Sequence, residues 1–82
     1  MKKYQAKRFI EAIQYLGDEK TYNELLENKV PIMDREHCIA VDTMYGSIVT
    51  LSKGDYVLKH PNDGYTVCDA ETFDQYYEEV KQ

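Results

Sequence analysis

The chain has 82 residues, 43% apolar and 30% charged, and its fifteen Asp and Glu outnumber ten Lys and Arg for a net charge of −5. That length holds one domain with a thin core, and the composition does not indicate disorder. No apolar run approaches the ~18 residues that span a bilayer, and the negative charge opposes direct binding to DNA or RNA while favouring a basic protein surface.

The N-terminal Met1-Lys2-Lys3-Tyr4 leads into no secretory apolar segment, so the protein is expected to stay in the cytoplasm where it is made. The segment from Arg8 to Leu16 has two readings. Phe9, Ile10, Ile13 and Leu16 fit a helical stripe, whereas Phe9, Ile13 and Tyr15 fit one face of a strand on which Glu11 is the exception. Gly17-Asp18 ends it either way. Thr21 followed by Glu24 has the form of a capping box, and Tyr22, Leu25 and Leu26 give the helix after it an apolar face. That helix is short, because Asn28 and the Val30-Pro31 step stop it.

From His37 to Cys68 the pattern is β. Cys38–Asp42, Ile48–Leu51, Tyr56–Lys59 and Tyr65–Cys68 read as strands, separated by turns at Met44–Ser47, Lys53–Asp55 and Pro61–Gly64. Tight turns between four short strands predict an antiparallel meander. Asp69 then serves as an N-cap, with Glu71 in the first turn of a last helix. Phe73, Tyr76, Tyr77 and Val80 line one side of that helix, and Asp74, Gln75, Glu78 and Glu79 line the other. The expected fold class is α+β: an antiparallel sheet of four to five strands, a C-terminal helix packed on one face, and a short second helix. It forms a single domain over residues 1–82.

Two segments resemble a family of small phage and prophage proteins of Gram-positive bacteria. Near the start, Lys3-Tyr4 and Ile10-Glu11-Ala12-Ile13-Gln14-Tyr15 match that family's opening strand. From Gly46 onwards, Leu51-Ser52-Lys53-Gly54-Asp55-Tyr56-Val57-Leu58-Lys59 matches its Ser-x-Gly-Asp-Tyr block, and Tyr65, Cys68, Phe73, Tyr77 and Glu78 match its closing pattern without a gap. The chain departs from the family at Arg8, where a proline is usual, and at His37-Cys38 and His60. The resemblance implies a strand for Phe9 to Tyr15 and a phage origin. It also implies a cytoplasmic counter-defence factor acting in the bacterial host. The type II-A anti-CRISPR proteins are similar in size and charge.

Nucleophilic catalysis is poorly supported, so the chain is expected not to be an enzyme. His37 and Cys38 are adjacent on a strand, which sends their side chains to opposite faces, and no Gly-rich oxyanion turn lies near either cysteine. Without an export signal, Cys38 and Cys68 are expected as thiols or metal ligands rather than a disulfide. His37, Cys38, His60 and Cys68 have the donor types of a structural Zn²⁺ site, although their spacing is not a known zinc pattern. The competing reading is two half-buried thiols and two surface histidines.

Tyrosine is the unusual feature of the composition: eight, beside two Phe and no Trp. Tyrosine suits both a thin core boundary and a contact surface. Asp69, Glu71, Asp74, Glu78 and Glu79 form an acidic run on or beside the last helix. Read functionally, Asp74, Glu78, Glu79 and Tyr76 form a partner-binding surface that steers towards a basic groove built for nucleic acid. Read structurally, they are a solvated face. The expected partner is a host defence protein, first of all a CRISPR effector nuclease, with no direct nucleic acid and no membrane. The alternatives are a sponge for a small nucleotide signal and a minor virion structural or assembly protein.

Overall fold

Alternation of apolar and polar residues carries the β-rich middle of the chain. The computed structural model describes residues 1–2, 10–36 and 38–78. The element order is β1 (Glu11–Gln14), α1 (Glu19–Glu27), β2 (Ile32–Arg35), β3 (Cys38–Asp42), β4 (Ile48–Leu51), β5 (Tyr56–Lys59), β6 (Tyr65–Cys68) and α2 (Ala70–Tyr76). The fold class is α+β, as expected. The four strands from Cys38 to Cys68 also fall where the alternation puts them.

The single meander does not form. Two antiparallel three-stranded sheets take its place, in the orders β1-β5-β6 and β2-β3-β4. The break falls between β4 and β5, at the Lys53-Gly54-Asp55 turn, and contacts with the end of β1 make it. The Tyr15 amide donates to the Asp55 carbonyl at 2.8 Å, and the Gly54 amide donates to the Tyr15 carbonyl at 2.6 Å. The Gln14 side-chain amide adds a bond to the Gly54 carbonyl at 3.2 Å. The turn's polar groups are therefore taken by the end of β1, and β5 leaves the turn alongside β1 instead of β4. Gly54 turns the corner at φ +97, in the left-handed region that a side chain disfavours.

Each sheet presents a matched apolar row. Ile13, Val57 and Val67 stand opposite one another across β1, β5 and β6, and Ile32, Val41 and Val49 do so across β2, β3 and β4. With Leu25 of α1 and Val30 just beyond it, Val41, Leu51 and Val57 make the buried core. One core therefore serves both sheets and α1. Burying each such side chain is worth ~1.5–3 kcal/mol.

Helix α1 starts earlier than the Thr21–Glu24 pattern predicts. Asp18 is its N-cap, and its carboxylate accepts from the Thr21 amide at 2.9 Å. Thr21 is buried inside the first turn, where its hydroxyl oxygen accepts from the Leu16 amide at 3.1 Å. The carboxylate three residues earlier takes the amide first, so Thr21 becomes a bridge between strand exit and helix start. The far end behaves as predicted. Asn28 caps it, Lys29 adopts φ +60, and the Val30 amide returns to the Leu25 carbonyl at 3.1 Å, seating Val30 in the core.

Helix α2 is capped by Asp69, whose carboxylate accepts from the Thr72 amide at 2.7 Å. None of its residues is fully buried. Its hold on the sheet is aromatic: Phe73 stacks on Tyr56 of β5, and Tyr77 stacks on Phe73 with centroids 5.0 Å apart. Packing against one sheet face is thus achieved through a half-buried ring, not a buried one. Phe9, assigned above to the first strand, and Val80, assigned to this helix, lie outside the described residues.

Candidate functional site

The residues from Pro61 to Glu78 contain Asp63, Asp69, Glu71, Asp74 and Glu78 and no Lys or Arg. Helix α2 carries Glu71 and Asp74 with Asp69 as its cap, while Glu78 lies past its end at Tyr76 instead of on its polar side; Glu71, Asp74 and Glu78 are all exposed. Tyr76 stands among them with 70% of its surface open to water. Phe73 turns towards Tyr56, while Tyr76, the last residue of α2, stays on the exposed rim. Asp69 is held below its ordinary carboxylate range by the hydrogen bonds it accepts from Thr72, which keeps a fixed negative charge at the helix start. Asp74, Glu78 and Tyr76 are thus brought onto one exposed segment, and Glu79 lies outside the described residues.

The four candidate zinc ligands are placed differently. His37 lies outside the described residues. Cys38 opens β3 opposite Arg35, and both it and Cys68 are half-buried free thiols. Cys68 closes β6 directly opposite Tyr56. His60 lies just past the other end of that hairpin, where its ring shares a 2.8 Å hydrogen bond with the Thr66 hydroxyl. Four residues of extended chain separate Tyr56 from His60, or about 13 Å. The register sets Cys68 and His60 at opposite ends of β5-β6, and the His60 ring reaches back only as far as Thr66. Among the described residues, no group of three or more His, Cys, Asp or Glu stands ready to hold a metal. Burial pushes the Cys68 thiol up, with the charges of Asp69 and Asp55 adding to the effect, so the protonated thiol is favoured over thiolate.

A second feature was not visible as a site in the sequence. A depression of about 270 Å³ opens between β1, β5, β6 and the end of α1. Ile13, Val30 and Val57 line it together with Glu11, Glu24, Lys59 and Tyr65. The only signal for it was Glu11, the charged exception on the apolar face that also carries Ile13 and Tyr15.

No protein-family model matches the chain, and neither a curated protein nor a solved structure matches it. No helix among the described residues is long and apolar enough to cross a membrane.

Proposed function

We propose that the chain is a binding protein that inhibits a host defence machine by docking its acidic C-terminal surface on a basic, nucleic-acid-handling groove. The observation that carries this reading is the exposure of Tyr76 among Glu71, Asp74 and Glu78, in a stretch without a basic residue. Tyrosine is among the residues that most often anchor interfaces, and surrounding carboxylates accelerate encounter with a basic surface. The target class proposed is a CRISPR effector nuclease of a type II-A system, met in the cytoplasm of a bacterial host, because anti-CRISPR proteins of such systems resemble this chain in size and charge.

The charge of the depression argues against the nucleotide-sponge alternative. Glu11 and Glu24 outweigh Lys59 there, so a phosphate would be repelled. The test is to add purified protein to a type II-A effector loaded with guide RNA and to measure cleavage of target DNA. Dose-dependent loss of cleavage, with binding at near-stoichiometric ratio, supports the reading. Full cleavage at saturating protein removes this target class.

A further inference from the structure

The depression beneath α1 lies on the face of the β1-β5-β6 sheet opposite to α2. Successive residues of a strand point to opposite faces. Tyr56 carries the Phe73 ring, whereas Val57 lines the depression. What enters there is thus independent of the α2 surface.

Its volume, about 270 Å³, is below the ~300–1,000 Å³ of ordinary small-ligand clefts, which suits one long side chain better than a cofactor. The floor is aliphatic, with Val30 and Val57 buried and Ile13 half-buried. Two carboxylates, Glu11 and Glu24, come from separate elements at the rim, and neither has an ion-pair partner among the described residues. Lys59 stands opposite Glu11 in the ladder and offsets one of the two charges. The Tyr65 hydroxyl is already occupied, donating to the Asn28 carbonyl at 3.1 Å, which ties β6 to the end of α1 and holds this wall in place.

We propose that this depression receives an arginine side chain presented by a partner protein. An aliphatic stem fits the Ile13–Val30–Val57 floor, and a weakly hydrated planar guanidinium has donors for both carboxylates at once. A nucleotide is excluded by charge and by size, and an apolar side chain would leave the rim carboxylates facing it without compensation.

The experiment is a titration of the full chain with N-acetyl-arginine N-methylamide, followed by NMR at the methyl groups of Ile13, Val30 and Val57. The uncharged isostere N-acetyl-citrulline N-methylamide and spermidine are run beside it. The arginine probe is expected to give saturable shifts at these methyls, and the citrulline probe none. Glu24→Gln is expected to weaken binding about threefold, and Lys59→Gln to strengthen it by a similar factor. Both substitutions sit at the rim, and an unchanged spectrum elsewhere shows the fold intact. Equal shifts with both amides, no saturable shift with the arginine probe, tighter binding of spermidine than of the arginine probe, or weaker binding in Lys59→Gln would each overturn the assignment.

Discussion

Phe73 lies flat on Tyr56, with ring centroids 3.7 Å apart and planes inclined by 8°. That contact joins α2 to the β1-β5-β6 sheet, and the ring of Tyr77 extends it. An aromatic pair of this kind contributes ~0.5–1.5 kcal/mol beyond area burial. Because Phe73 remains half-exposed, its removal costs less than the ~3–5 kcal/mol of a fully buried ring. Phe73→Ala is expected to cost about 1–2 kcal/mol and to fray α2. Leu25→Ala, at a side chain with 0% exposure, is expected to cost more, ~2–5 kcal/mol. Urea denaturation of both variants checks the order. A larger loss from Phe73→Ala would mean that α2 belongs to the main core.

The two hairpin tips support each other. The Met44 amide donates to the Tyr65 carbonyl at 2.9 Å, and Met44 lies over Gly64 so closely that a Cβ there would sit 2.7 Å from the Met44 Cβ and 2.9 Å from its Sδ. Gly64→Ala is expected to lift the tips apart at a cost of ~1–3 kcal/mol. Met44→Gly in the same chain removes the obstructing Cβ. Denaturation should show a smaller cost of Gly64→Ala in the Met44→Gly background than in the parent, and strict additivity would contradict the contact.

Acid should loosen α1 in a predictable direction. Asp18 is held below its ordinary 3.8 by the hydrogen bond from the Thr21 hydroxyl and then by that from its amide. The folded state therefore binds this proton less readily than the unfolded state. The resulting stability is fully present above the unfolded value and is lost as pH falls through the lower folded value. Asp18→Asn keeps an acceptor for the Thr21 amide while removing the titration. Helicity and stability followed below pH 4 should fall less steeply in Asp18→Asn than in the parent, and identical slopes would discount the cap.

The strands were legible because Cys38–Asp42, Ile48–Leu51, Tyr56–Lys59 and Tyr65–Cys68 alternate and are bounded by turn residues. Their partners were not. A turn such as Lys53-Gly54-Asp55 reads the same whether its flanking strands pair or part, and only the bonds from Gln14 and Tyr15, some forty residues earlier, decide it. The strand Ile32–Arg35 carries no alternation signal, because Asp34 and Arg35 follow its single apolar pair and Pro31 precedes it. Asp34 is accounted for by the Tyr22 hydroxyl, which donates to it at 2.7 Å and ties α1 to β2. At the candidate surface, the acidic run was plain in the sequence, but the exposure of Tyr76 was not. Tyr76 shares a helical stripe with Phe73, and the early end of α2 separates their fates.

The hairpin register makes a prediction about metal. Cys68 and His60 close opposite ends of β5-β6, and the His60 ring is already engaged by the Thr66 hydroxyl, which predicts that the two do not share one ion. Protein purified without chelator should show the same zinc content in the parent, Cys68→Ser and His60→Ala by elemental analysis. One zinc per chain that disappears in both variants would contradict the register.

The proposed docking of Asp74, Tyr76 and Glu78 on a basic groove of a defence nuclease can be tested on its kinetics. The most direct measurement is the association rate with a purified type II-A effector, by interferometry at low and at physiological salt, for the parent, Asp74→Lys with Glu78→Lys, and Tyr76→Ala. The charge-reversed protein should associate about tenfold more slowly at low salt, with the difference shrinking as salt screens the field. Tyr76→Ala should instead speed dissociation and weaken binding at least tenfold at either salt, consistent with loss of ~1.4 kcal/mol or more. Parent-like rates and salt dependence in both proteins, with their folds intact, would contradict the claim.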